Sequence, residues 1–202
     1  MTRRLVHVPA LLIAASIAAI LGSACTSGLG ASYPDQSSVA QAQTAWCDML
    51  NKIRKEPGDW SRYGECKGAY PTASAPYLKG MTECFFERVQ AEGDNAPDNT
   101  TIVDECNGKA VAFMHGDESS GAEAIDARCK RMERCEKVAP AECKQAIEKL
   151  ESGTRAEITT KFNRAALHEV ADCLASASCT DDEDSARGAC YKPVAEKLLW
   201  FP

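Results

Sequence analysis

The chain has 202 residues, 32 of them alanine and 11 cysteine, and a formal charge of −6. Its length allows one domain or two small ones. The cysteine content argues for an oxidising destination, and the acidic balance excludes the basic footprint of a nucleic-acid binder.

Residues 1–24 read as a signal peptide. Arg3 and Arg4 supply the positive start, and Pro9 to Leu21 form an apolar run too short and wrongly flanked for a stable membrane span. Leu21-Gly22-Ser23-Ala24-Cys25 follows, with small residues before a cysteine. This resembles the lipobox of bacterial lipoproteins, in which that cysteine receives a diacylglyceryl group and becomes the first mature residue. Leu21 lies four residues before Cys25 rather than the commoner three. The alternative is an ordinary secretory signal with a coincidental cysteine. Parity favours lipidation of Cys25, because its removal leaves ten cysteines, five pairs with no odd thiol. More than one acyl chain is needed to hold a protein durably at a membrane. Thr26, rather than Asp, after the cysteine implies outer-membrane delivery under the sorting rule of many Gram-negative lipoproteins.

Residues 25–43 are expected to be the lipidated cysteine and a flexible tether, rich in Ser, Gly, Ala and Gln and containing Pro34. Signal removal takes two arginines and no acids, so the charge moves from −6 to −8. Membrane association then rests on the lipid alone.

From there the spacing is helical throughout, and the expected fold is all-α: two disulfide-stapled helical-hairpin or bundle modules in tandem, 44–116 and 117–202. In the first, Ala42, Trp46, Met49, Leu50 and Ile53 form one stripe. Leu78, Met81, Phe85 and Val89 form a second, and Ile102, Cys106, Ala110, Phe113 and Met114 a third. In the second module Ile125, Cys129 and Met132 open a helix, and Pro140 suits the first position of another over about Ala141 to Glu151. Ile158 to Leu174 carries the longest stripe. Ala186, Cys190, Val194 and Leu198 carry the last, with Pro193 expected to kink or break it. Ser120–Glu123, Thr154–Glu157 and Thr180–Glu183 each fit a capping box. No convincing strand pattern occurs.

A weak internal repeat relates the modules. Gly64-Glu65-Cys66-Lys67-Gly68-Ala69 echoes Ala141-Glu142-Cys143-Lys144-Gln145-Ala146. Cys47, Cys66, Cys84 and Cys106 correspond in order to Cys129, Cys143, Cys173 and Cys190. The second module adds Cys135 and Cys179, whose equivalents are Ile53 and Gln90; their joint absence from the first predicts that they bond to each other. Antiparallel hairpins would then give a nested scheme: Cys143–Cys173 inside Cys135–Cys179 inside Cys129–Cys190, and Cys66–Cys84 inside Cys47–Cys106. Sequence alone permits many other pairings. With the lipobox, Cys129-x5-Cys135-x7-Cys143 and Cys173-x5-Cys179-x10-Cys190 resemble the cysteine-rich, alanine-rich helical lipoproteins of myxobacteria and their relatives. The resemblance implies location and fold rather than chemistry.

The chemical inventory is thin. Only His115 and His168 follow the signal, and His168 reads as a helix-surface residue. Five cysteine pairs leave no thiolate for catalysis or zinc, and no C-x-x-C, C-x-x-C-H or H-E-x-x-H occurs. Gly116 to Gly121 is not G-x-S-x-G and reads as a linker. Asp181 to Asp184 lacks the alternation and glycine of an EF-hand and suits a helix start. Asn99-Thr100-Thr101 is a glycosylation sequon without weight in a bacterial protein. Phe85-Phe86 and Trp200-Phe201 are candidates for a contact patch. The expectation is a non-enzymatic, lipid-anchored protein of the cell envelope with a structural or protein-binding role. It has no cofactor, its membrane contact is through Cys25, and its partner is an unidentified envelope protein. The alternatives are a carrier of small apolar ligands and, more remotely, an envelope hydrolase or redox enzyme.

Overall fold

The apolar stripes become helices whose ends are set by local side-chain chemistry. A computed structural model describes residues 35–53, 63–69, 71–93, 99–113 and 121–199. The expected signal peptide, Cys25, His115, the 116–120 stretch and Trp200-Phe201 lie outside them, as does the expected module boundary. The first half carries α1 (Gln36–Lys52), α2 (Tyr63–Gly68), α3 (Ala75–Glu92) and α4 (Asn99–Phe113). The second carries α5 (Ala122–Glu136), α6 (Pro140–Glu148), α7 (Ser152–Ile158), α8 (Arg164–Ser176) and α9 (Glu183–Ala195). The fold is all-α; among the described residues the only β feature is an isolated antiparallel bridge between Ala73 and Phe162.

Several boundaries differ from expectation. Helix α1 begins at Gln36, so its first two turns replace the end of the expected tether. Those turns are held because Val39 is buried and because buried Gln43 donates from Nε2 to the Cys66 carbonyl at 2.8 Å. The Ile158–Leu174 stripe is two elements, not one helix. Thr154 sits inside α7, so its capping box with Glu157 does not form. Asn163 caps α8 instead, its side chain accepting from the Ala166 N–H at 2.9 Å. Likewise Asp182, not Thr180, caps α9, accepting from the Ser185 N–H at 2.8 Å. A carboxylate both satisfies the orphan amide and complements the helix dipole, so it displaces the hydroxyl. Helix α5 starts after Gly121 with no side-chain cap bond from that residue, and Ser120 of the expected Ser120–Glu123 box lies outside the described residues. Gly121 is there for space: a Cβ would meet Thr159 Cγ2 at 2.4 Å. Pro140 stands at the start of α6 as the sequence predicts, and Pro193 lies inside α9 two residues before its end, so it forgoes its own ladder bond but interrupts only the last residues of the helix.

The two halves share one packing scheme. Helix α1 packs on α2 and α3, and α3 on α4; correspondingly α5 packs on α6 and α8, and α8 on α9. The first and third members of each set run parallel. Glu123 meets His168 near the starts of α5 and α8, and Arg134 reaches the Ala175 carbonyl near their ends. Trp46 of α1 lies edge-on to Phe85 of α3, with centroids 5.5 Å apart, at the middle of the first core. Around that pair are Tyr77, Leu78, Met81 and Ile102. A second core gathers Phe162, Leu167, Val170, Leu174 and Val194, and a small third one holds Cys129, Cys143 and Ile147.

Parallel first and third helices correct the disulfide scheme. The bonds are Cys47–Cys66, Cys84–Cys106, Cys129–Cys143, Cys135–Cys179 and Cys173–Cys190. Cys135–Cys179 is the pair that their joint absence from the first half predicts. The expected Cys47–Cys106, Cys66–Cys84, Cys129–Cys190 and Cys143–Cys173 pairs do not form. Nesting required the helices bearing Cys143 and Cys173 to be hairpin partners. Instead α7 intervenes, α6 folds back on α5, and α9 folds back on α8, so each cysteine finds its successor in the repeat. The same first-to-second and third-to-fourth pairing recurs in both halves.

The described residues all belong to one compact unit, Ala31–Pro202. Its halves meet where the 71–74 segment crosses the 161–163 turn. The Asn163 N–H donates to the Thr72 carbonyl at 2.8 Å, and the Ser74 N–H to the Lys161 carbonyl at 2.9 Å. Buried Asn163 adds Nδ2 bonds to the carbonyls of Pro71 and Ala73, at 2.6 and 3.3 Å. Thr72 donates from its hydroxyl to the Val194 carbonyl, tying α9 to the same seam.

Candidate functional site

All ten cysteines from Cys47 to Cys190 are in disulfides, so the eleventh, Cys25, has no partner left within the chain. Five disulfides are compatible with an exported protein. Among the described residues no group of His, Cys, Asp and Glu is arranged to hold a metal ion, and no helix is long and apolar enough to cross a membrane.

His168 lies on the surface of α8, as the sequence suggests, with Nδ1 2.7 Å from Glu123 Oε1 and Nε2 3.6 Å from Asp172 Oδ2. The hydrogen bond to Glu123 raises its pKa above the ordinary 6.5; slight burial opposes this and the charges of Glu123, Asp172 and Glu169 add to it. A raised value in the folded state means that the pair's contribution is complete below the unfolded histidine's pKa and is lost as pH climbs through the folded one. The imidazole is 42% exposed, so solvent screening leaves a contribution of only a few tenths of a kcal/mol. We expect the His168 titration, followed by NMR, to centre above 6.5 and to fall towards it in Glu123→Gln. A midpoint unchanged by that substitution would contradict the pairing.

Asp182 caps α9, and Glu183 and Asp184 lie in its first turn. Asp182 is held below the usual carboxylate range chiefly by the Ser185 N–H, then by the Ser185 hydroxyl. Phe85 is buried and Phe86 partly buried, as adjacent helical positions require. Asn99 opens α4.

The most informative polar arrangement is one the sequence reading missed. Arg131 of α5 is fully buried. Its guanidinium donates to Glu183 Oε2 at 3.0 Å and to the carbonyls of Ser178 and Asp181 at 3.0 and 2.7 Å. Arg128 donates to the other oxygen of Glu183 at 2.6 Å, and Arg134 to the carbonyls of Ala175 and Ala177. Three arginines of one helix thus hold the whole turn from α8 into α9. The signal was available: Ala124, Arg128, Arg131 and Cys135 repeat at i, i+4, i+7 and i+11, a second buried-facing stripe with arginines in it.

A second cluster lies along the seam. Tyr77 donates to Asn107 Oδ1 at 2.7 Å, Asn107 to Glu157 Oε1 at 3.2 Å, and Lys161 to Glu157 Oε2 at 2.7 Å. Burial, reinforced by the Glu157 charge, keeps the Tyr77 phenol protonated. Donors and acceptors are matched within this cluster, so it binds α3, α4 and α7 together and offers no activated nucleophile. A cleft of about 290 Å³ opens above it beside Leu198 and Leu199.

A broad cleft lined by described residues runs between the parallel α1 and α3. It holds about 690 Å³, has Ala42, Ala45 and Ala75 on its walls, and carries Lys79 and Glu83 at its edge. It continues past Ala45 and Thr82 into a smaller space of about 320 Å³ bordered by Met49 and Phe86. Both are open to solvent; Ser38, Gln41, Thr82 and Glu83 stand among the alanines of the first, and Asp48 and Lys52 border the second. That geometry suits a bound segment better than chemistry on a small molecule. The chain matches no protein-family model, no curated protein and no solved structure.

Proposed function

We propose that this is a non-enzymatic protein of the cell envelope, anchored in the outer membrane through lipid on Cys25, whose stapled helical body binds another envelope protein. The observation that carries the reading is the cysteine account. Ten cysteines are consumed in disulfides, and the one left over follows Leu21-Gly22-Ser23-Ala24. A disulfide-rich body also fits an oxidising compartment, and the matched cluster of Tyr77, Asn107, Glu157 and Lys161 supports a binding role over catalysis. The α1–α3 cleft is the face where a segment of the partner is seated.

The anchor is tested by detergent phase partitioning and fatty-acid labelling of the full chain in an envelope-competent bacterial host. The native protein should label and enter the detergent phase, and Cys25→Ser should do neither. Unlabelled, water-soluble native protein would overturn the anchor. Binding is tested with a photo-crosslinker at Ala45: one discrete adduct should form in intact envelopes and vanish when Ala42→Arg fills the cleft. An adduct indifferent to Ala42→Arg, or none at all, would remove the cleft from the reading.

A further inference from the structure

We infer that Cys135–Cys179 is not a fold staple but a thiol–disulfide exchange site, opened by a dithiol reductant while the rest of the body stays folded. Two independent observations meet at this bond. First, it is the one disulfide of the five in which neither cysteine is buried: Cys179 is exposed and Cys135 half-buried. Cys47, Cys66, Cys84, Cys106, Cys129, Cys143 and Cys190 are all buried, so each of the other bonds has at least one shielded end. Exchange requires in-line access of a thiolate to sulfur, and exposed disulfides are accordingly the labile ones.

Second, the bond is redundant. The segment it pins to α5 is already held there by Arg131, through the carbonyls of Ser178 and Asp181, and by Arg134, through those of Ala175 and Ala177. In the first half the equivalent positions are Ile53 and Gln90, and α1 packs along α3 with no such bond. The architecture therefore closes without it.

The chemistry balances with a dithiol as the only co-reactant. One thiolate of the dithiol attacks the exposed sulfur of Cys179, the Cys135–Cys179 bond breaks, and its electron pair leaves on Cys135 as thiolate. The second thiol of the reductant, once deprotonated, attacks its own sulfur in the mixed disulfide. Cys179 thiolate is released and the reductant departs as a cyclic disulfide, oxidised by two electrons, while the protein gains a dithiol.

The test uses the intact, non-denatured protein. It is exposed to graded dithiothreitol and quenched with an alkylating reagent; labelled peptides are mapped while helicity is followed by circular dichroism. Cys135 and Cys179 should label together, at least about tenfold faster than any other cysteine, with helicity unchanged. Alkylation of all ten in step, an earlier-opening pair, or loss of helicity when this pair alone has opened would overturn the inference. Cys135→Ser/Cys179→Ser provides a second measure: it should fold and melt cooperatively, and failure to fold would show that the bond is structural after all.

Discussion

Arg131→Ala is expected to lower the stability of the folded body by about 2–4 kcal/mol, the combined cost of a core void and two lost hydrogen-bond donors. The loss has two parts. The fully buried guanidinium leaves a void between α5 and the α8–α9 turn, and it orphans the carbonyls of Ser178 and Asp181. Glu183 is not stranded, because Arg128 still holds its other oxygen. Arg131→Lys should recover little, since an ammonium is a point donor and three acceptors are spread across a planar fork. Urea unfolding with the disulfides intact measures all of this. A loss below about 1 kcal/mol, the range for an exposed ion pair, would mean that the clamp is ornamental, and that Cys135–Cys179 carries the turn by itself.

Asn163→Asp is the second large effect, and it separates capping from stitching. Aspartate is as good a helix cap as asparagine, so the bond from the Ala166 N–H survives. The lost group is the amide NH2, which donates to the carbonyls of Pro71 and Ala73 across the seam. A fully buried carboxylate would face those two carbonyl oxygens. Leaving buried acceptors unpaired while burying an uncompensated charge should cost about 3 kcal/mol or more. Asn163→Ala, which adds no charge, should cost about 2–3 kcal/mol through the lost cap and the lost stitch. If aspartate proved as stable as asparagine, the 71–74 segment would not depend on this side chain.

Both positions show why local sequence rules were only partly sufficient. Stripes such as Leu78-Met81-Phe85 and Ala186-Cys190-Val194 report burial on a single helix face, and each became a helix with those residues inside. The start of α8 was misplaced because Thr154-x-x-Glu157 matches a capping box in letters. The choice between it and Asn163 depends on where the 71–74 segment crosses, and that contact is ninety residues away in sequence. Arg131 went unread for a similar reason. A charged residue in a helix looks like a solvated one until the backbone carbonyls that surround it are in place.

What the sequence determined by itself was the helical class, the odd cysteine at position 25 and the bond between Cys135 and Cys179. Periodicity and parity are properties of one chain read in order, and two residues missing together from a repeat are expected to pair, as the structure shows them to do. The other four disulfides were decided only by tertiary structure. Their pairing turns on which helices are neighbours and in which direction they run, and α7 together with the 159–163 turn sets that by bringing α8 back parallel to α5. Once first and third helices lie parallel, a cysteine on either one reaches the short or returning helix that follows it. The nested hairpin partner is out of range.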